Sequence, residues 1–313
     1  MQKRLFFILF WSLSFLSIAK ANNPLKTVCR LSQEVRESSG LIYINGEIYT
    51  HNDSKDKPCI YRIDKTKGTI LQWIYLRNAK NMDWEDLTTD GNFAYVGDFG
   101  NNNGKHRQRT IYRFLLPSIQ NKHKDTINCE TIHFSIPIPA GDLTVKFNLH
   151  PYDMEAMTVI GDELFVFTKD WLRGHCKAYS LPKISGHYVA KFVDSFDAKG
   201  LITGACYNSS LNTLYLLGYT THGQGFLYQF QPSSKLFFNP SHKRINLAYF
   251  AQFEAVCVRD ANSLYLSNEK LPWSSGKLWI FELQRSEDKI KAGFGNRVRR
   301  ALWDLVYWGT HLR

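Results

Sequence analysis

The sequence has no C-x-x-C spacing, no G-x-S-x-G, no H-E-x-x-H and no EF-hand loop. Their absence excludes the common structural zinc sites, the serine-hydrolase elbow, the zincin motif and the helical calcium loop. Gly100–Lys105 falls one residue short of a phosphate loop and is followed by His where that loop needs Ser or Thr. Charge is sparse at 21% of residues while aromatics reach 14%, the balance of a globular chain and not a disordered one. Beyond the N-terminus no run approaches the roughly 20 apolar residues that a membrane-spanning helix needs.

Six cysteines are spread singly along 313 residues. Cys206 and Cys257 fall inside apolar runs, where a cysteine acts as a small buried hydrophobe. Cys29 and Cys59 are freer to pair, but spacing alone leaves the connectivity open. The formal charge of +11 is concentrated at the ends, in Lys3, Arg4 and Lys20 and in a tail carrying Lys289, Lys291, Arg297, Arg299, Arg300 and Arg313 against Asp304. The body between them is left near about +3, too little for a nucleic-acid-binding surface.

Residues 1–21 read as a signal peptide: Lys3-Arg4, an apolar core over Leu5–Ala19, and the small-x-small site Ala19-Lys20-Ala21. The expected product is exported, to the periplasm or beyond. Residues 22–284 are expected to fold as one domain. Residues 285–313 form a basic aromatic tail or helix, whose Arg297–Trp308 stretch suggests contact with a membrane surface or packing on the domain.

What the body does contain is a repeat. Asp83-Trp84-Glu85-Asp86 leads through the turn Asp90-Gly91 to a second run ending in Gly97-Asp98-Phe99-Gly100-Asn101-Asn102-Asn103. Asp-Gly between two short apolar runs signals a hairpin, because Gly accepts the positive φ of a primed turn. Similar units open at Ser39, Glu155, Thr203 and Glu254, giving spacings of 46, 70, 48 and 51 residues. A period near 50 with several strands per unit predicts an all-β fold, a β-propeller of five four-stranded blades. Lys26–Leu31 is expected to complete the last blade and so close the ring. The 70-residue spacing marks an insertion, with exposed loops at Asn101–Arg109 and Pro137–Pro151; a six-bladed ring with a blade hidden there is the alternative.

If the lead residues start the innermost strands, Ser39, Glu85, Glu155, Thr203 and Glu254 ring one mouth of the central channel. Three converging glutamates repel one another and call for a cation. Oxygen ligands without Cys or His favour Ca²⁺ or Mg²⁺, with Glu85, Glu155 and Glu254 as the expected metal set. Lys169 and Lys270 are the competing answer, since both follow second strands and would face the same mouth. The second-strand ends add His51, Asn52, Asp53, Asp98, Asn101, Asp170, Tyr219, Asn268 and Glu269 as ligand-binding candidates. Asp and Asn here also serve turns through bonds to the backbone. Glu is different, being a poor strand residue that no turn requires three times in register. His51 and Asp98 are the candidate bases.

Glu37-Ser38-Ser39-Gly40-Leu41, Thr50-His51-Asn52-Asp53-Ser54, Asp83-Trp84-Glu85-Asp86, Gly97–Asn102, Thr110-Ile111-Tyr112-Arg113, Asp153–Met157, Thr168-Lys169-Asp170 and Glu254-Ala255-Val256 together resemble a group of exported bacterial β-propellers. That group is distantly similar to the SdiA-regulated and esterase-like phytase propellers. The resemblance spans nearly all of residues 30–283 and implies the fold; it implies no particular reaction. A looser likeness is to five-bladed calcium-dependent nucleotidases, but Ser39 and Thr203 stand where two of their acids would be. The expected function is an exported propeller that binds a cation and a polar ligand or partner at the acid-lined mouth, the partner being a small molecule, a glycan or an envelope protein. The alternatives are a metal-dependent phosphoester or lactone hydrolase and an envelope scaffold.

Overall fold

The computed structural model describes residues 24–104, 108–138, 150–272 and 274–283. The expected signal peptide, the basic tail, most of Pro137–Pro151 and part of Asn101–Arg109 lie outside the described residues.

The strands form five antiparallel blades. Blade 1 is β2 (Ser38–Ile44), β3 (Glu47–Asn52), β4 (Cys59–Ile63) and β5 (Ile70–Leu76). Blade 2 is β6 (Trp84–Thr89), β7 (Phe93–Asp98), β8 (Arg109–Leu115) and β10 (Glu130–Ser135). Blade 3 is β11 (Asp153–Ile160), β12 (Glu163–Lys169), β13 (His175–Pro182) and β15 (Lys191–Asp197). Blade 4 is β16 (Leu201–Asn208), β17 (Thr213–Tyr219), β18 (Gln224–Phe230) and β19 (Lys243–Phe250). Blade 5 is β20 (Phe253–Asp260), β21 (Ser263–Asn268), β22 (Lys277–Glu282) and the N-terminal β1 (Leu25–Arg30), which pairs with β22 and closes the ring as expected.

The insertion holds no sixth blade among the described residues. It supplies a short helix, α1 (Leu116–Gln120), and a two-residue strand, β9 (Thr126–Ile127), that adds in parallel to the outer edge of blade 1. Blade 3 makes the same gesture to blade 2: β14 (Gly186–Val189) pairs in parallel with β10. Two blade boundaries are thus fastened by a strand borrowed from the following blade.

Local chemistry sets the hairpins. Between β6 and β7, Gly91 takes φ +90°, and Asp90 Oδ1 accepts from the N–H groups of Asn92 and Phe93 at 3.0 and 2.7 Å. The inner strands β2, β6, β11, β16 and β20 lie side by side around the channel and are buried on both faces, so they lose the alternation seen in the outer β5. One apolar cluster fills each blade boundary. Ile42, Ile60 and Ile74 of blade 1 meet Trp84, Leu87 and Val96 of blade 2, and the other four boundaries repeat the arrangement. All six cysteines are buried and unpaired. Cys29 and Cys59 join the cluster between blades 5 and 1, where burial pushes their thiols up to about 11 and about 12.

A candidate cation and ligand site at one mouth of the channel

Every inner strand carries the same irregularity. Ser38 pairs with Asn52 and Gly40 with His51, which leaves Ser39 unpaired. The ladders skip Glu85, Glu155, Thr203 and Glu254 in the same way. The five lead residues are therefore five bulges, one per blade. A bulge re-aims the side chain of its extra residue, here out of the ladder. That explains how Glu is tolerated at the start of three buried strands.

The partner strands add a second ring. One residue beyond each bulge's flanking pair stand Asp53, Phe99, Lys169, Tyr219 and Glu269. A third ring, two residues before each bulge, holds Glu37, Asp83, Asp153, Leu201 and Gln252. Carboxylates from all three rings converge on this mouth, and Lys169 is the cation that opposes them at Asp53, Asp83, Glu155, Glu254 and Glu269.

The mouth divides into two halves. In one, Lys169 Nζ lies 3.0 Å from Glu155 Oε2, with both side chains buried. Its ammonium sits 4.8 Å from the Trp171 ring centre and 6.0 Å from that of Tyr219, in a small apolar cluster with Leu201 and Leu271. Glu155 thereby holds the Lys169 pKa well above the ordinary lysine range, against burial. Burial pushes the nearby Glu254 carboxyl up to about 7, while Lys169 and the hydroxyls of Thr203 and Tyr219 pull it down.

In the other half, one carboxylate oxygen each from Asp53, Asp83 and Glu85 lie within 4.8 Å of one another. Glu85 is 2% exposed, and its Oε1 is buried without a hydrogen-bond partner. Glu85 and Asp83 lie over Gly100, where a Cβ would collide with both, so the missing side chain makes room for them. Burial, and then the neighbouring acids, push Asp53 up to about 6, Asp83 up to about 7 and Glu85 well above the carboxylate range.

The hydroxyls in the bulge ring act differently. Ser39 Oγ donates to Glu85 O at 2.7 Å and Thr203 Oγ1 to Phe253 O at 2.5 Å, each stapling its blade to the next. Several other candidates brace the site. Asp98 Oδ1 accepts from Asp83 N at 2.8 Å, and its Oδ2 accepts from Tyr112. The backbone N–H of Asn101 donates to Asp153 Oδ1 at 2.7 Å. Asn52 holds Glu37 N and Glu34 O, Asp170 caps Leu172 and Arg173, and Asn268 bridges Glu269 O and Trp279.

Two candidates stand apart from the acids. His51 is fully buried, edge-on to Trp84 and over Gly40, with Nδ1 at 2.9 Å from Asn52 O. Burial lowers its pKa to about 4, so it is neutral at physiological pH. Lys270 is exposed and donates to Gln33 Oε1 at 2.9 Å. It lies one residue past the ring position of Lys169, which Glu269 fills in blade 5, and a one-residue slip turns a side chain to the other face.

Asp83, Asp153, Trp171 and Gly100 belong to the site although they were not among the expected contacts. The signal for the first two was present as Asp-x-Glu, repeated at Asp83-Trp84-Glu85 and Asp153-Met154-Glu155. Asp86 also went unsuspected. Its Oδ2 accepts from Met157 N at 2.7 Å and Ala205 N at 3.3 Å, tying blades 2, 3 and 4 across the channel below the mouth. The other blades carry Gly40, Ala156, Gly204 and Ala255 at that position, which leaves space for it.

No protein-family model matches the chain, and no curated protein matches it in sequence. Among solved structures it is similar to an exo-β-1,3-galactanase from Phanerochaete chrysosporium, at 13% identity and TM-score 0.42, covering 61% of this chain and 44% of that one. A candidate 6-phosphogluconolactonase from Bacteroides uniformis aligns at 13% identity and TM-score 0.38, over 77% of this chain and 66% of that one. A glucose dehydrogenase aligns at 8% identity and TM-score 0.47, over 82% and 98%. The chain spans less than half the length of the galactanase it matches. These likenesses concern the strand arrangement and carry nothing about chemistry.

Proposed function

We propose that this chain is an exported binding propeller whose acid-lined mouth holds a divalent cation on Asp53, Asp83 and Glu85 and, beside it, a polar ligand. The observation that carries the reading is the Glu85 carboxylate: buried, with Oε1 unpartnered, next to two more carboxylates. Leaving such a group buried and unpaired costs several kcal/mol unless it is protonated or meets a cation. An all-oxygen set suits Ca²⁺ or Mg²⁺. Glu155 Oε1 and Glu254 Oε2 are further buried acceptors without donors, which hydroxyl groups of a small molecule or glycan would supply.

Thermal unfolding of the mature domain in EDTA, then in excess Ca²⁺ or Mg²⁺, tests the cation. Binding to the folded state alone adds about 2.7 kcal/mol at a hundredfold excess over Kd. An unchanged melting temperature with either ion refutes the metal.

A second reading, metal-dependent hydrolysis of a phosphoester or lactone, draws on one observation. The Glu254 carboxyl, at about 7, has the proton affinity of a general acid or base at neutral pH, and it lies in the half next to the cation ligands. The cation would polarise the substrate or activate water. Turnover of a phosphoester or lactone panel that is lost in Glu254→Gln and in EDTA would favour hydrolysis. Saturable ligand binding without turnover would leave the binding reading.

A further inference from the structure

At the outer edge of blade 2, the strand that blade 3 lends to it carries a feature that the acid site does not use. β14 runs parallel to β10 with His133 and His187 as direct register partners. Their ring centres are 4.8 Å apart with 32° between the planes. His187 is exposed and His133 half-buried. Thr110, the register partner of His133 on β8, completes the row. Its Oγ1 shares a hydrogen bond of 3.1 Å with His133 Nδ1. With Nδ1–H donating, the lone pair of His133 resides on Nε2. A metal-ligating imidazole is usually fixed in this way, one nitrogen held by a polar neighbour and the other left for the ion.

We propose that His133 and His187 form a surface site for a borderline transition-metal ion, Zn²⁺, Ni²⁺ or Cu²⁺, with water completing the coordination. Two imidazole nitrogens suit these ions and not Ca²⁺ or Mg²⁺, so the site is chemically separate from the oxygen-lined mouth. Its position gives it a structural consequence. Near its two ends β14 is held to blade 2 by Ser185 Oγ donating to Thr131 O at 2.9 Å and Ala190 N donating to Ser135 O at 2.9 Å. An ion shared by His133 and His187 would add a fastening between those points, locking the lent strand to the blade it covers.

The test is calorimetric titration of the full chain, without an affinity tag, with ZnCl₂ in saturating Ca²⁺. One zinc ion should bind per chain, binding should vanish in His187→Gln and in His133→Gln, and Glu85→Gln should leave it intact. Thr110→Val should weaken it about tenfold, as expected for loss of an orienting partner. Absence of stoichiometric zinc binding, or a His187→Gln chain that binds as the wild type does, overturns the proposal. His187 is exposed, so that variant is expected to fold.

Discussion

The two halves of the mouth are made from the same repeat positions and reach opposite electrostatic solutions. Around Glu155 and Glu254 the chain supplies its own cation, Lys169, held between carboxylate and aromatic faces. Around Asp53, Asp83 and Glu85 no lysine or arginine ion pair is present among the described residues. At the second-ring position blade 3 has Lys169 where blade 1 has Asp53. On the proposed reading, the mouth is part internal ion pair and part cation receptor, with no change of fold between the halves.

Removing the internal cation should have the largest effect. Lys169→Met strands Glu155 in a buried site, and breaking a buried pair in this way costs about 3–5 kcal/mol. Denaturant unfolding in EDTA measures it. Adding Glu155→Gln should restore part of the loss; if the double variant is no more stable than the single one, the pair is not what holds that half together.

Next comes pH. Asp53, Asp83 and Glu254 have folded-state pKa values of about 6, about 7 and about 7, above their ordinary values. The folded protein then binds more protons than the unfolded chain at mildly acidic pH, so stability falls as pH rises. In EDTA the stabilisation should be full below about pH 4 and be lost by about pH 7. Excess Ca²⁺ should flatten this slope by favouring the ionised acids. Melting temperatures that climb from pH 4 to 7 in EDTA would contradict the repulsion argument.

Glu85→Gln should abolish the stabilisation by Ca²⁺, about 2.7 kcal/mol at a hundredfold excess, while leaving stability in EDTA unchanged or higher. Lys270→Ala should do least. The side chain is exposed and reaches only Gln33, so melting temperature and calcium response should stay within about 0.5 kcal/mol of wild type. A clear loss of the calcium response there would mean the mouth extends further than the three rings.

The fold was legible because hairpin turns and lead residues recur at near-constant spacing, and blade closure requires a terminal strand. The ring of lead residues was legible for the same reason. The bulges were not: skipping Glu85 or Glu155 is a property of pairing, seen only when both strands are in place. The division of the mouth was hidden likewise. Lys169 and Lys270 look equivalent in sequence, yet β12 ends on Lys169 whereas β21 ends on Asn268, two residues before Lys270. Asp53 and Asp83 belong to different blades and meet only when blade 2 packs on blade 1. Their convergence with Glu85 is the reason for proposing the cation there and not on the set Glu85, Glu155 and Glu254, in which Glu155 already pairs with Lys169.

Calcium-binding stoichiometry of wild type, Glu85→Gln and Glu254→Gln, measured by equilibrium titration, tests this division most directly. The account predicts one calcium ion in the wild type, none in Glu85→Gln, and wild-type binding in Glu254→Gln. Binding that survives Glu85→Gln but is lost in Glu254→Gln would place the ion in the half that Lys169 is held to neutralise, and would contradict it.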